Sequence, residues 1–137
     1  MADRPRPERG LLDTSVVIDL ERIPVDALPP EVAICAITMA ELAAGPHATS
    51  DPDERTRRQD RLQRTEAAFD PLPFTTEAAR AYGRVFAAIA AAGRKPRGAR
   101  AVDLLIAATA LAEELPLYTR NPDDFRNLEG IIEVINV

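Results

Sequence analysis

Apolar and polar positions along the chain fall into two alternating patterns. Short unbroken apolar runs, with no helical spacing inside them, occur at GLLDT, EVAICAIT, PLPFT, LPLYT and IIEVINV. Runs of this length, rich in Leu, Ile and Val and bounded by Gly or Pro, predict buried strands. The stretches between them are helical in pattern. SVVIDLER predicts a brief helix opened by Thr14 or Ser15, and MAELAAG a second one stopped by Gly45-Pro46. DPDERTRRQDRLQRTEAAF predicts a polar helix with Pro52 near its start, and TTEAARAYGRVFAAIAAAG has Tyr82, Val85, Phe86 and Ile89 at helical spacing before Gly93 stops it. GRKPRG then predicts a loop and ARAVDLLIAATALAEEL a nearly all-apolar helix.

Strands that alternate with helices imply an α/β fold: a three-layer sandwich with a mostly parallel central sheet of four to five strands, flanked by helices because right-handed crossovers cover both faces. A length of 137 residues suits one domain. Residues 1–9, rich in Pro and Arg, are expected to form a flexible extension, and residues 10–137 the domain. With 46% hydrophobic residues, no apolar run near ~18 residues and no leader pattern, the chain reads as soluble, cytoplasmic and without a membrane partner. Cys35 is the only cysteine, which excludes an intramolecular disulfide and a cysteine zinc site; inside VAICAIT it reads as a packing residue. His47, the only histidine, lies in the turn-like AGPHATS and leaves little from which to build a Ser-His-Asp triad or a histidine zinc site.

A net charge of -5 disfavours a nucleic-acid partner only if the total field decides the matter. The distribution is less one-sided. Arg94, Lys95, Arg97 and Arg100 crowd into GRKPRGAR, and a second basic cluster runs from Arg55 to Arg64, where alternating charge reads first as a solvated helix face.

In parallel sheets ligands gather at the carboxyl ends of the strands, and acids fall at that edge. Asp13 ends the first predicted strand, Glu41 follows the second, Asp103 stands near the start of the apolar helix, and Asp123 and Asp124 follow LPLYT. Each also has an ordinary reading. Asp13 can cap the short helix, Thr38 to Glu41 matches a T-x-x-E capping box, and NPDD can be a plain proline turn. Asp103 can meet the helix dipole, but its face continues with Ile106, Ala107 and Ala110, and a buried charge needs a partner. Taken together, carboxylates from four pieces of chain would repel unless a cation lay between them. An all-oxygen set suits Mg²⁺ or Mn²⁺, and leaves water as the nucleophile. Asp19 reads as a solvent-facing helix charge.

LLDTSVVID, ITMAELAAG, AVDLLIAATALAEELPLYTRNPDDF and GIIEVI together resemble, in order and spacing, the PIN-domain ribonucleases, most closely the VapC-type toxins of toxin-antitoxin pairs. The match runs from about Leu11 to Val137. The resemblance implies a Mg²⁺- or Mn²⁺-dependent endoribonuclease acting on structured RNA (tRNA, rRNA or mRNA). It also implies a homodimer, neutralised by a cognate VapB-like antitoxin in a heterotetramer or larger assembly. Carried over by position, the acidic quartet falls on Asp13, Glu41, Asp103 and Asp124, Asp124 matching better than Asp123 because it directly precedes Phe125. Asp13 and Asp103 are then the principal metal ligands, with Glu41 and Asp124 secondary. Thr14, Ser15 and Asn121 become auxiliary polar groups, and Arg94, Lys95, Arg97 and Arg100 candidate contacts to RNA phosphates. Two other classes compete. One is a catalytically weak PIN-fold module that only binds RNA or protein. The other is an aspartyl-phosphate phosphoryl-transfer protein, which needs either a D-x-D, where this chain has Ser15, or a strand-end lysine, where its only lysine is Lys95 in a loop.

Overall fold

The computed structural model describes residues 6–95 and 98–137. In chain order the elements are β1 (Arg9–Leu12), α1 (Thr14–Ile18), β2 (Glu31–Ala33), α2 (Ala36–Ala44), α3 (Pro52–Ala68), α4 (Thr76–Ala91), α5 (Ala99–Ala112), β3 (Leu117–Thr119) and β4 (Val134–Asn136), with short 3-10 turns between some of them. The four strands form one sheet in the order β2-β1-β3-β4, parallel throughout.

Successive strand residues point to opposite faces, so each strand feeds two cores. Leu11 and Leu117 pack on one side with Val85 and Ile89 of α4, Leu104 and Ile106 of α5, and Phe125. Leu12 and Tyr118 pack on the other with Val16, Ile34, Leu42 and Leu62. Three layers result. In α4, Ala78, Ala81, Val85 and Ile89 make the buried stripe. Phe86, grouped with them by spacing, is 44% exposed and lies beside the half-buried Tyr82, ring centroids 6.2 Å apart. One helical step from Val85 turns its side chain by about 100°, enough to carry it off the stripe.

Several boundaries differ from the sequence reading. PLPFT is not a strand: Leu72 forms a single bridge to Cys35, its N–H donating to Ile34 O at 2.9 Å and its carbonyl accepting from Ala36 N at 2.8 Å. Pro71 and Pro73 flank it, and proline cannot donate to a ladder. The second strand ends at Ala33, and α2 opens three residues earlier than MAELAAG suggested, from an extended Cys35. Thr38 is therefore inside the helix, and the expected capping box with Glu41 does not form. The last strand shrinks from IIEVINV to Val134–Asn136. At the other end β1 begins at Arg9, and Glu8 O accepts from Glu31 N at 3.0 Å, so ordered backbone starts before residue 10. Most of the expected extension, residues 1–5, lies outside the described residues. Among the described residues no helix is long and apolar enough to cross a membrane.

Candidate active site at the carboxyl edge of the sheet

β1 ends where its backbone still pairs with β3, the Asp13 N–H donating to Tyr118 O at 3.0 Å. That pairing sets the Asp13 side chain on the carboxyl edge. Its Oδ1 accepts from the Val16 N–H at 3.1 Å and from the Ser15 hydroxyl at 2.5 Å; its Oδ2 accepts from the Thr119 hydroxyl at 2.6 Å. Asp13 itself, and not Thr14 or Ser15, is thus the N-cap of α1. The two hydroxyls are fixed in turn, Ser15 Oγ accepting from the Arg120 N–H at 3.0 Å and Thr119 Oγ1 from the Asn121 N–H at 2.9 Å. Only 4% of Asp13 is exposed. Burial pushes its pKa above the usual carboxylate value, and the hydrogen bonds from Ser15, Thr119 and Val16 counter part of that rise.

Thr119 is the site neighbour that sequence reading missed. It looked like the end of LPLYT and nothing more. The signal was register: Leu12 pairs with Tyr118, so the residue after Tyr118 must stand beside the residue after Leu12, which is Asp13.

The early start of α2 gives Glu41 a different partner from the one expected. Thr14, the first residue of α1, donates its hydroxyl proton to Glu41 Oε1 at 2.6 Å, and the buried Thr38 hydroxyl lies 3.1 Å from Thr14. Thr14 and Ser15 therefore serve two different acids, Thr14 orienting Glu41 and Ser15 orienting Asp13.

Asp103 is half-buried on α5, one turn before the buried Ile106 and Ala107. Its pKa is pushed up to about 7, first by burial and then by the negative charges of Asp124, Glu41 and Asp13, with Arg100 pulling the other way. Three acids from three other segments therefore act on Asp103 at this edge. Asp123 is not among them: it is exposed and pairs with Arg126 at 3.3 Å. Asn121 is exposed, its backbone tied to Thr119. Asp19 departs from the solvent-facing reading, being partly buried in an ion pair with Arg120 at 3.4 Å.

The basic clusters separate clearly. In α3, Arg55 donates to the carbonyls of Pro46 and Thr49, Arg57 and Arg58 pair with Glu54, and Arg64 pairs with Glu21 and Asp60. This is the ordinary helix face the alternating charge suggested. Between α4 and α5, Arg94 reaches Asn127 Oδ1 at 3.4 Å and Lys95 is exposed; Arg97 lies outside the described residues. Arg100, in the first turn of α5, is half-buried, and its Nη1 is buried with no hydrogen-bond partner among the described residues.

The donor set at this edge is carboxylate and hydroxyl oxygen, with the exposed His47 and the buried Cys35 on other parts of the chain. By chemistry it fits a hard divalent cation. Among the described residues no three acids are arranged to grip an ion as they stand; burial, and after it the charges of the other three acids, appears instead as the raised proton affinity of Asp103.

An all-parallel three-layer sandwich with acids from four segments on its carboxyl edge has the character of a PIN domain, and the PIN domain family model matches residues 10–131. The chain is 37% identical to Ribonuclease VapC5 of Mycobacterium tuberculosis over 136 residues, covering 96% of this chain and 97% of that protein. It is 30% identical to Ribonuclease VapC of Rickettsia bellii over 132 residues, 93% and 95% of the two. Among solved structures, VapBC-5 of Mycobacterium tuberculosis, a member of the VapBC family of toxin-antitoxin systems, superposes with a TM-score of 0.80 at 36% identity, covering 96% of this chain and 100% of that one. The chain therefore belongs to the PIN-domain family and, within it, to the VapC ribonucleases.

Proposed function

We propose that this protein is a divalent-metal-dependent endoribonuclease toxin, cutting phosphodiester bonds in structured RNA such as tRNA, rRNA or mRNA. The observation that carries this reading is that the charges of Asp13, Glu41 and Asp124 are all felt at the half-buried carboxyl of Asp103. Four like charges on one edge are a poor structural choice without a cation. Asp13 and Asp103 are the principal groups to hold Mg²⁺ or Mn²⁺, with Glu41 and Asp124 completing the set. When bound, such an ion offsets charge on the phosphoryl oxygens and lowers the proton affinity of the attacking water.

The chain's own residues prepare the site. Ser15 and Thr119 clamp both oxygens of Asp13, and Thr14 holds Glu41, so two carboxylates are oriented before substrate arrives. Arg94, Lys95, Arg97 and Arg100 lead into the Asp103 helix and supply the positive charge that RNA phosphates require. Asn121 contributes through its backbone, which buttresses Thr119. The aspartyl-phosphate reading gains nothing from the structure, since Lys95 is in the α4–α5 loop and not at a strand end.

The likeness to VapBC-5 supports neutralisation by a VapB-like antitoxin. A cleft of about 270 Å³ between α1 and α3, lined by Val17, Ile18, Leu20 and Phe69, with Ile18 45% exposed, gives such a partner apolar surface to cover. Homodimerisation, in turn, has the exposed Phe86 on the Ala-rich α4 as a candidate contact.

The test is cleavage of total tRNA and rRNA by the purified toxin with Mg²⁺ or Mn²⁺ and with EDTA. Wild-type protein should cleave only with the ion, and Asp13→Asn and Asp103→Asn should lose at least ~100-fold of that activity. Cleavage at wild-type rate by both variants would remove the assignment.

A further inference from the structure

Of the cations near the acidic edge, Arg100 is held in a way the general RNA grip does not explain. It stands in the first turn of α5, three residues before Asp103 and so on the same side of the helix. Its charge is felt by the Asp103 carboxyl, yet among the described residues it forms no ion pair, and its buried Nη1 has no acceptor. A buried charged donor without a partner is costly and rare. The Asp103 carboxyl, one turn along, does not engage it in a bidentate pair. The guanidinium opposes the rise in the Asp103 pKa, and its Nη1 is left without an acceptor.

Resting on the nuclease reading, we propose that Arg100 is a catalytic residue whose free N–H groups bind the non-bridging oxygens of the scissile phosphate. The chemistry of the ligand follows from that of the donor: a planar fork of N–H groups matches two phosphate oxygens as a single ammonium does not. Arg100 transfers no proton. It remains a cation while water adds to phosphorus and the leaving oxygen departs, and it stabilises the charge that gathers on the oxygens between these events. Arg94, already bonded to Asn127, and the exposed Lys95 are left to hold flanking phosphates. The two kinds of cation should therefore have different kinetic signatures.

The experiment compares Arg100→Gln, Arg100→Lys and Arg94→Gln in the full-length protein, with total tRNA as substrate. Arg100→Gln should lower kcat about 100-fold with little change in KM, whereas Arg94→Gln should act mainly on KM. Arg100→Lys keeps the charge and loses the fork, and should stay at least ~10-fold below wild type. Binding is read separately, in EDTA on an Asp13→Asn background that does not cut. There Arg100→Gln should reduce the slope of log Kd for tRNA against log salt by about one. Full kcat in Arg100→Lys, or an unchanged salt slope, overturns the proposal in favour of a mere internal counter-ion. If Arg100→Gln does not fold, as judged by thermal melting, Arg100→Lys decides alone. Normal cleavage by the Arg100 variants, with Asp13→Asn inactive, removes the Arg100 assignment and leaves the nuclease reading standing. No RNA cleavage by wild-type protein with either ion removes both.

Discussion

With no cation bound, the Asp103 carboxyl keeps its proton up to about pH 7, against a usual value of 3.8. Between those limits the folded chain binds more protons than the unfolded chain, so stability is highest at the acid end of the window and falls as the pH rises through it. Asp13 is shifted in the same direction by burial. The ion-free protein should therefore lose stability between pH 5 and pH 7.5, as judged by urea midpoints. Asp103→Asn should flatten much of that loss and gain about 1 kcal/mol at pH 7.5, a figure already reduced for the half-exposed position of the group. A variant less stable than wild type at pH 7.5 would contradict the electrostatic account. Asp13 is a different case. Its carboxylate caps α1 and receives the hydroxyls of Ser15 and Thr119, so its charge is destabilising while its oxygens are structurally employed.

At the scale of elements, the edge depends on how closely β1 lies against its neighbours. Gly10 is buried, and a methyl group there would run into the Tyr118 ring and meet Pro29 Cγ at 3.1 Å. Gly10→Ala should cost about 1–3 kcal/mol through overpacking, visible as a lower melting temperature. Because Tyr118 precedes Thr119, it should also loosen Asp13 and reduce RNA cleavage beyond what the lower stability explains. A melting temperature equal to wild type would show that β1 and β3 can separate without cost. Element boundaries also changed the meaning of one acid. EVAICAIT reads as an unbroken strand because its apolar run from Val32 to Ile37 is continuous, but Cys35 turns the backbone and Ala36 starts α2. Thr38 thereby leaves its expected capping position, and Glu41 turns to Thr14. The pair Cys35–Ala36 carries no Gly, Pro or Asn to mark such a turn, which is why apolar pattern alone overran it.

For the whole molecule, the cost of gathering like charges should be recovered on ion binding. A ligand that binds only the folded state stabilises it by about 2.7 kcal/mol at 100 times its Kd. Mg²⁺ or Mn²⁺ should therefore raise the melting temperature at pH 7.5 by several degrees over EDTA. The rise should be much smaller in Asp13→Asn and Asp103→Asn. Equal shifts in all three proteins would place the ion elsewhere.

The alternation of short apolar runs with helical stretches was enough to define an α/β sandwich with a parallel sheet, because burial on both faces and right-handed crossovers leave few other arrangements. The spacing of acids relative to strand ends was enough to nominate Asp13, Glu41, Asp103 and Asp124, since the carboxyl ends of β1 and β3 are readable from where their apolar runs stop, although that of β2 is not. What required the folded chain was everything that crosses between segments. Strand register decided that Thr119 serves Asp13, packing decided that the charge of Asp124 is felt at Asp103 while the exposed Asp123 pairs with Arg126, and helix phase decided that Phe86 stands outside the core. The packing of α5 decided that Asp103 feels the Arg100 charge while the Arg100 Nη1 has no hydrogen-bond partner among the described residues. Local pattern constrains what each segment does with its own backbone, and the partners of a side chain dozens of residues away are set only when the segments meet.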